Sequence, residues 1–317
     1  MAASICPDCQ RKAHRHGTDR KGNQRFKCIP CNKRFTEPAP DPLDGMRIDM
    51  KQAGMALLML VEGNSIRSTE RVTEIHRNTI LKLLKVAGRK AHAVCDRLLR
   101  NLNCDLLQAD EIWCYVGAKD KKVRSHHPKE FGSKFVFVAI DSETKLVPSW
   151  TVGKRDGKTA YEFLADLAER VSNRPQLSTD GFEAYISAVE DTFGADIDFG
   201  QLIKLFGQPA DTGRERYSPS GLAAIIKERI CGSPDEDLIS TSHVERQNLT
   251  MRMGMRRFTR LTNAFSKKLE FLKAAVALHF GWYNFCRPHM TLEGCTPAME
   301  AGLTDHVWSI EELLEAA

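Results

Sequence analysis

Two cysteine pairs near the start of the chain, Cys6-x-x-Cys9 and Cys28-x-x-Cys31, leave this stretch few ways to fold. So short and polar a segment buries too little apolar surface to hold itself together and needs another source of folding energy. Two Cys-x-x-Cys knuckles supply one: each brings two thiolates to a single tetrahedral ion while the chain between them returns as a hairpin. Prolines inside both knuckles, "CPDC" and "CIPC", and turn glycines Gly17 and Gly22 suit that geometry. The spacing predicts a ribbon over residues 1–36 in which Cys6, Cys9, Cys28 and Cys31 hold a structural Zn²⁺. The alternative, four reduced cysteines in an ordinary core, lacks a core to bury them in.

With 317 residues the chain is long enough for two or three units. No apolar run reaches the roughly 18 residues of a membrane span, and no secretory segment opens the chain, so a cytoplasmic, nucleoid-associated protein without a membrane partner is expected. Cys95, Cys104, Cys114, Cys231, Cys286 and Cys295 then stay reduced, in cores. Residues 1–100 carry 20 Lys+Arg against 10 Asp+Glu, whereas the remainder carries 26 against 31. A basic front on an acidic back points to a polyanionic partner, nucleic acid above all. Arg25-Phe26-Lys27 suits phosphates with a base stacked on the ring; a solvated basic hairpin is the competing reading.

"EPAPDPLDG", residues 37–45, reads as a semi-rigid linker. Residues 46–103 read as three short helices: Glu62-Gly63-Asn64 ends the first, Ser65 caps the second and Asn78 caps the third. A helix-turn-helix DNA-binding domain is the expectation. Its third helix turns Ile80, Leu83, Leu84 and Ala87 inward and Lys82, Lys85 and Arg89 outward, either to DNA phosphates or simply to solvent. His76, Asn78, Thr79 and Lys82 are the candidates for base contacts.

From residue 104 the pattern changes to strands. "LLQADEIWCYVGA", "KFVFVAIDSET" and "KLVPSWTVGK" form an antiparallel meander. A helix with Tyr161, Leu164, Leu167 and Ala168 on one face follows, then the strand "PQLSTD", a second helix and the strand "ADIDFGQLIKLFG". This is the order of an α/β RNase H-like core with a mixed five-stranded sheet over residues 104–300. There the first and fourth strands are neighbours, so Asp110 and Asp180 meet, and two buried carboxylates side by side call for a divalent cation. Glu111, one residue on, faces the other side of its strand and reads as a structural or ion-pair group. For a third acid, Glu215 and Glu245 compete. Glu245 is preferred because a helix from Ser242 puts it on one face with Asn248, Arg252 and Arg256. Ser242-x-x-Glu245 also fits a capping box, however, and Gly254 can end the helix early.

With a zinc ribbon, a helix-turn-helix, "ADEIWCYVGAK", "STDGFEAY", "SHVERQN" and "YNFCRPHMTL", the chain resembles bacterial insertion-sequence transposases with a DDE catalytic core, of the insertion-sequence-one type. The resemblance implies that Asp110, Asp180 and Glu245 bind two Mg²⁺ ions, Mn²⁺ being a substitute, for cleavage at element ends and strand transfer into target DNA. It implies as partners the terminal inverted repeats, target DNA and further copies of the chain, as a homodimer or larger homo-oligomer. Arg252, Arg256 and Arg257 then hold the strand. Asn284, Arg287 and His289 position it, unless Arg287-Pro288 merely ends a helix that His289 caps. The interval from Asp180 to Glu245 exceeds the commonest family spacing, which places an insertion at about 208–239 before the last catalytic helix. Residues 301–317 form an acidic helix, packed on the core or on a second subunit. The competing functions are a zinc-dependent DNA-binding regulator derived from a transposase, and an RNase H-like nuclease without strand transfer.

Overall fold

Alternation along Gln24–Lys27 sends Phe26 inward, where it joins Cys6, Ala13 and Cys28 in a miniature core. In the computed structural model, which describes residues 5–19, 23–36, 41–207, 222–259 and 262–317, this core belongs to the first of two units, Met1–Gly45. Its antiparallel sheet runs β1 (His14–Thr18), β2 (Gln24–Lys27), β3 (Arg34–Thr36). Phe26 is buried and stacks on Phe35 with centroids 5.9 Å apart, so it is not the open base-stacking ring expected from its basic neighbours. Strand alternation turns Phe26 inward, whereas Ile5 and Ile29 of the same unit stay exposed.

The second unit, Met46–Ala317, holds everything else. It opens with α1 (Met50–Val61), α2 (Ile66–Thr73) and α3 (Arg77–Leu98). Ser65 caps α2 as expected, accepting the Ser68 N–H. The cap of α3 differs: His76 takes the role, its Nδ1 accepting the N–H of Asn78, which already lies in the first turn. Nor is α3 short. Its apolar stripe continues through Ala87, Ala91 and Val94, because the helix packs along α7 (Leu269–Phe285). A Cβ at Gly88 would lie 2.4 Å from the Ala274 carbonyl oxygen, so only glycine permits this approach.

The sheet comprises β4 (Leu106–Val116), β5 (Gly132–Asp141), β6 (Trp150–Gly153), β7 (Gln176–Asp180), β8 (Asp198–Phe206) and β9 (Leu222–Cys231). Its order is β6-β5-β4-β7-β8-β9, with β4-β7 and β7-β8 parallel and the other pairs antiparallel. Among the described residues it has six strands, one more than expected. The extra strand, β9, comes from the predicted insertion; residues 208–221, including Glu215, lie outside the described residues. Between strands run α4 (Gly157–Ala168) and α5 (Ala184–Phe193), and beyond the sheet come α6 (Ser242–Gly254), α7, α8 (Pro297–Glu300) and α9 (Ile310–Glu315). On α4 the buried face is Phe163, Leu164 and Leu167, while Tyr161 is exposed, a displacement of the expected stripe.

Leu107, Ala109, Phe137, Phe163, Leu177 and Phe199 join Val94 of α3 and Leu99, which follows it, in one continuous core, each large side chain contributing about 1.5–3 kcal/mol by leaving water. The acidic last helix packs here too: Leu313 enters this core, and α9 contacts α1, α3 and α7. Cys95, Cys104 and Cys114 are buried, and burial pushes their thiols up to about 12. No described helix is long and apolar enough to cross a membrane.

Candidate active site

The parallel register of β4 and β7 pairs Ala109 with Thr179, so Asp110 and Asp180 are the next residues along adjacent strands. Each is held by its own backbone: Asp110 Oδ1 accepts the Glu111 N–H at 2.7 Å, and Asp180 Oδ1 accepts the Phe182 N–H at 3.0 Å. The third acid arrives on α6, whose start is tied to β4. Gln108 Oε1 accepts the N–H groups of His243 and Val244 at 2.8 and 3.2 Å, satisfying two donors that a helix N-terminus leaves open. Two residues along β4, Asp110 Oδ2 accepts a hydrogen bond from Asn248 Nδ2 at 2.9 Å. Glu245, in the first turn of α6, therefore faces the strand ends, and Asp110, Asp180 and Glu245 line one cavity of about 380 Å³ together with Arg155 and Lys204. Its carboxylate does not serve a capping box at Ser242; it accepts the Thr241 hydroxyl and pairs with Lys204 of β8.

Burial, reinforced by the charges of Glu111, Asp180 and Glu245, pushes the Asp110 carboxyl up to about 7. Glu111 is also raised, by burial and then by Asp180. The expected ion pair of Glu111 is present, with Arg155 Nε at 3.0 Å, but the group does not stand apart from the acids. Carboxylate oxygens of Asp110, Glu111 and Asp180 all lie within 4.8 Å of one another. Asp110 and Glu111 lie midway along β4, just past Ala109 where its pairing with β7 stops, and there the two-residue alternation does not keep their carboxylates apart; Arg155 bridges Glu111 and Asp180, its Nη2 3.3 Å from Asp180 Oδ2. That guanidinium also lies over the Phe182 ring at 4.1 Å. The buried Tyr185 hydroxyl faces the Glu111 carboxylate and draws it down against the effects of burial and Asp180. Three clustered carboxylates and a fourth acid across the cavity form an oxygen-donor set that fits a hard divalent cation.

Sequence reasoning did not identify Arg155, Gln108 or Lys204. Arg155 sits in the loop before α4, and nothing local marks it. Gln108, two residues before Asp110 on the same strand face, was legible as a buried polar group in an apolar run.

The proposed DNA contacts fall in several places. Lys82, Lys85 and Arg89 lie on the exposed face of α3, although Lys85 pairs with Glu270 of α7 at 2.8 Å. Arg252 stays on the Glu245 face of α6, but the helix ends at Gly254. Arg256 and Arg257 therefore belong to a separate 3-10 turn rather than to that face. Burial pulls the Arg257 guanidinium down to about 10. Arg287 is exposed and lies 5.4 Å from the Trp282 ring centroid. His289 caps the turn Met290–Leu292 that follows, not the end of α7. Asn284 is fully buried and spends both ends of its amide on the Val147 backbone, which makes it a structural group.

In the first unit, ligand atoms of Cys6, Cys9, Cys28 and Cys31 lie within 4.8 Å of one another. The Cys6–Cys31 and Cys9–Cys28 sulfurs are 3.4 Å apart and Cys9–Cys31 3.7 Å. Four thiolates at about 2.3 Å from a tetrahedral ion are themselves about 3.8 Å apart, so this set fits one. The thiols of the cluster are shifted apart: the backbone N–H of Cys9, aimed at the Cys6 sulfur, draws that thiol down to about 6, whereas burial and the neighbouring sulfurs push Cys28 up to about 12.

No protein-family model matches the chain. Two solved structures align over most of it at low similarity. The piggyBac transposase synaptic complex with hairpin DNA gives a TM-score of 0.40 at 11% identity, covering 84% of this chain and 69% of that one. The Mos1 mariner paired-end complex with Mn gives 0.27 at 12% identity, covering 80% and 78%. In sequence, the chain is 31% identical to the insertion element iso-IS1N protein InsA of Shigella dysenteriae over 84 residues, 25% of this chain and 86% of that protein. By that identity and coverage, the chain belongs to the family of insertion-element proteins that InsA represents.

Proposed function

We propose that the chain is a DNA transposase that binds the ends of an insertion sequence, cleaves there and transfers the strand into target DNA. The observation that carries this reading is the meeting of Asp110, Asp180 and Glu245, from two strands and a helix far apart in sequence, on one cavity at the strand ends. The insertion-element relationship supports it, as do the basic first hundred residues.

Asp110, Asp180 and Glu245 are the groups that would hold Mg²⁺ or Mn²⁺; bound there, such ions supply charge stabilisation and an activated oxygen for phosphoryl transfer. The chain's own residues prepare the site. Asn248 fixes the Asp110 carboxylate, Gln108 anchors the helix that brings Glu245, and Thr241 orients the Glu245 carboxylate. Arg155 keeps the buried Glu111 compensated. Lys204 adds positive charge at the cavity wall, where a phosphodiester approaches. Cys6, Cys9, Cys28 and Cys31 hold a structural Zn²⁺ in the ribbon of residues 1–36. The helices of residues 46–103 read DNA as a helix-turn-helix with Lys82, Lys85 and Arg89, and Arg252, Arg256, Arg257, Arg287 and His289 touch the strand. The protein works in the cytoplasm, on the nucleoid, as a homo-oligomer that pairs two element ends.

Incubation of the full chain with its element-end DNA, a target plasmid and Mg²⁺ tests the proposal. The expected result is nicked ends followed by joined product, with Asp110→Asn binding the ends yet giving neither. An active Asp110→Asn protein contradicts it. One observation favours a second reading: Lys204 and Arg155 already pair with Glu245, Glu111 and Asp180. A DNA-binding regulator that no longer cuts would bind ends and leave them intact.

A further inference from the structure

Beyond the acids, β4 carries a second feature. Trp113 and Tyr115 alternate onto one face of the strand, and Trp113 remains 39% exposed, although strand interiors normally hide such rings. The Trp113 and Tyr115 centroids are 5.6 Å apart, and Phe265 stacks on Tyr115 at 4.8 Å. Three aromatic rings thus stand in a row along a groove of about 880 Å³. Lys119 hangs over the row, 5.9 Å from the Trp113 centroid and 5.8 Å from that of Tyr115. Lys122 and Arg252 also line the groove, and no acidic residue is among the described residues lining it. Asp120, next to Lys119 in the chain, is engaged by the Ser133 backbone N–H and hydroxyl; the same hydroxyl accepts the Trp113 indole N–H at 3.1 Å.

From these observations we infer that the groove binds an unpaired segment of nucleic acid, its bases stacked on Trp113 and Tyr115 and its phosphates on Lys119, Lys122 and Arg252. Rings offered as a platform select unpaired bases, because a duplex hides base faces within its own stack. Cations beside the rings select a polyanion and not an apolar peptide. The position is apt: Trp113 lies two residues beyond Glu111 on the same face of β4, roughly 7 Å along the strand. A strand seated in the groove therefore leads toward the carboxylates. The inference rests on the reading of the chain as an enzyme acting on DNA and adds to it a site for locally opened, single-stranded DNA.

The test uses the full chain as purified, without added Mg²⁺ or Mn²⁺. A twelve-base single-stranded oligonucleotide carrying 5-iododeoxyuridine is titrated against tryptophan fluorescence, then photocrosslinked, and the modified peptide is identified by mass spectrometry. Stacking on Trp113 is expected to quench emission, and the crosslink to fall on Trp113, Tyr115 or Phe265. Trp113→Ala should weaken binding roughly tenfold or more, a duplex of the same sequence should bind without the quench, and Trp113→Phe should keep affinity within about threefold while losing the quench. Crosslinks mapping only elsewhere, or a folded Trp113→Ala protein that binds as well as the parent, would overturn the inference. Failure of the transposase reading looks different: groove crosslinks persist while no metal-dependent cleavage is seen with any end DNA.

Discussion

Asn248 of α6 donates its side-chain N–H to Oδ2 of Asp110 on β4 at 2.9 Å, while its own Oδ1 is buried without a hydrogen-bond partner among the described residues. One amide thus joins the helix that carries Glu245 to the strand that carries Asp110. Hydrogen bonds to a charged group contribute about 1.5–3 kcal/mol, so Asn248→Ala should lower the cleavage rate about 10- to 100-fold. Affinity for end DNA should stay within about twofold, separating the rate constant from binding. Equal loss of both would make Asn248 a structural residue only.

Arg155 compensates Glu111, whose side chain is 2% exposed. Removing one partner of a buried pair leaves an uncompensated charge, a cost discounted here because the guanidinium itself is 38% exposed. Arg155→Gln should destabilise the chain by about 1–3 kcal/mol in urea unfolding, and adding Glu111→Gln should recover most of that loss. Absence of recovery would show that Arg155 acts through its Phe182 contact and not through Glu111.

Most of this site was legible along the chain. The buried carboxylates of "LLQADEIWCYV" and "QLSTD" stand out because strand interiors do not accept unpaired charge, and the strand order brings them together. Glu245 was legible through helical spacing from Ser242. Arg155 was not, because its partners are chosen by the packing of a loop against two strand ends. Glu111 was misplaced because a strict alternation was applied where β4 has just lost β7 as its neighbour, beyond Ala109. Phe26 was read from its basic neighbours as open to a base, although the alternation of its strand turns it onto Cys6, Ala13 and Cys28. The length of α3 depends on its packing along α7, which lies far along the chain, whereas the cap at His76 is a local choice of the ring over the Asn78 side chain.

The four-cysteine cluster carries its own expectation. Elemental analysis should find about one Zn²⁺ per chain, and Cys28→Ser should remove it. Amide exchange across His14–Thr36 should then become fast, since metal binding is the main folding energy of that sheet. The unfolding midpoint of Met46–Ala317 should not move. Protected His14–Thr36 amides in the metal-free Cys28→Ser protein would contradict this.

At the far end of the sheet, the Arg174 guanidinium and the Ser233 backbone N–H hold Asp198 down at about 2. A folded-state value below the unfolded one means a stabilising contribution that is present above about pH 4 and lost as pH falls toward 2. Both partners are partly exposed, so the contribution is about 0.5–1 kcal/mol. The stability difference between the parent and Asp198→Asn should therefore shrink between pH 4 and pH 2. A difference that stays constant across that window would exclude this linkage.

The central claim is that Asp110, Asp180 and Glu245 form one divalent-cation site, and Mn²⁺ titration followed by electron paramagnetic resonance tests it most directly. The full chain should take up Mn²⁺ beyond any bound at the cysteines, Asp110→Asn and Asp180→Asn should each lose that uptake, and Glu245→Gln should weaken it by about tenfold or more. Unchanged Mn²⁺ uptake in Asp110→Asn would contradict the account.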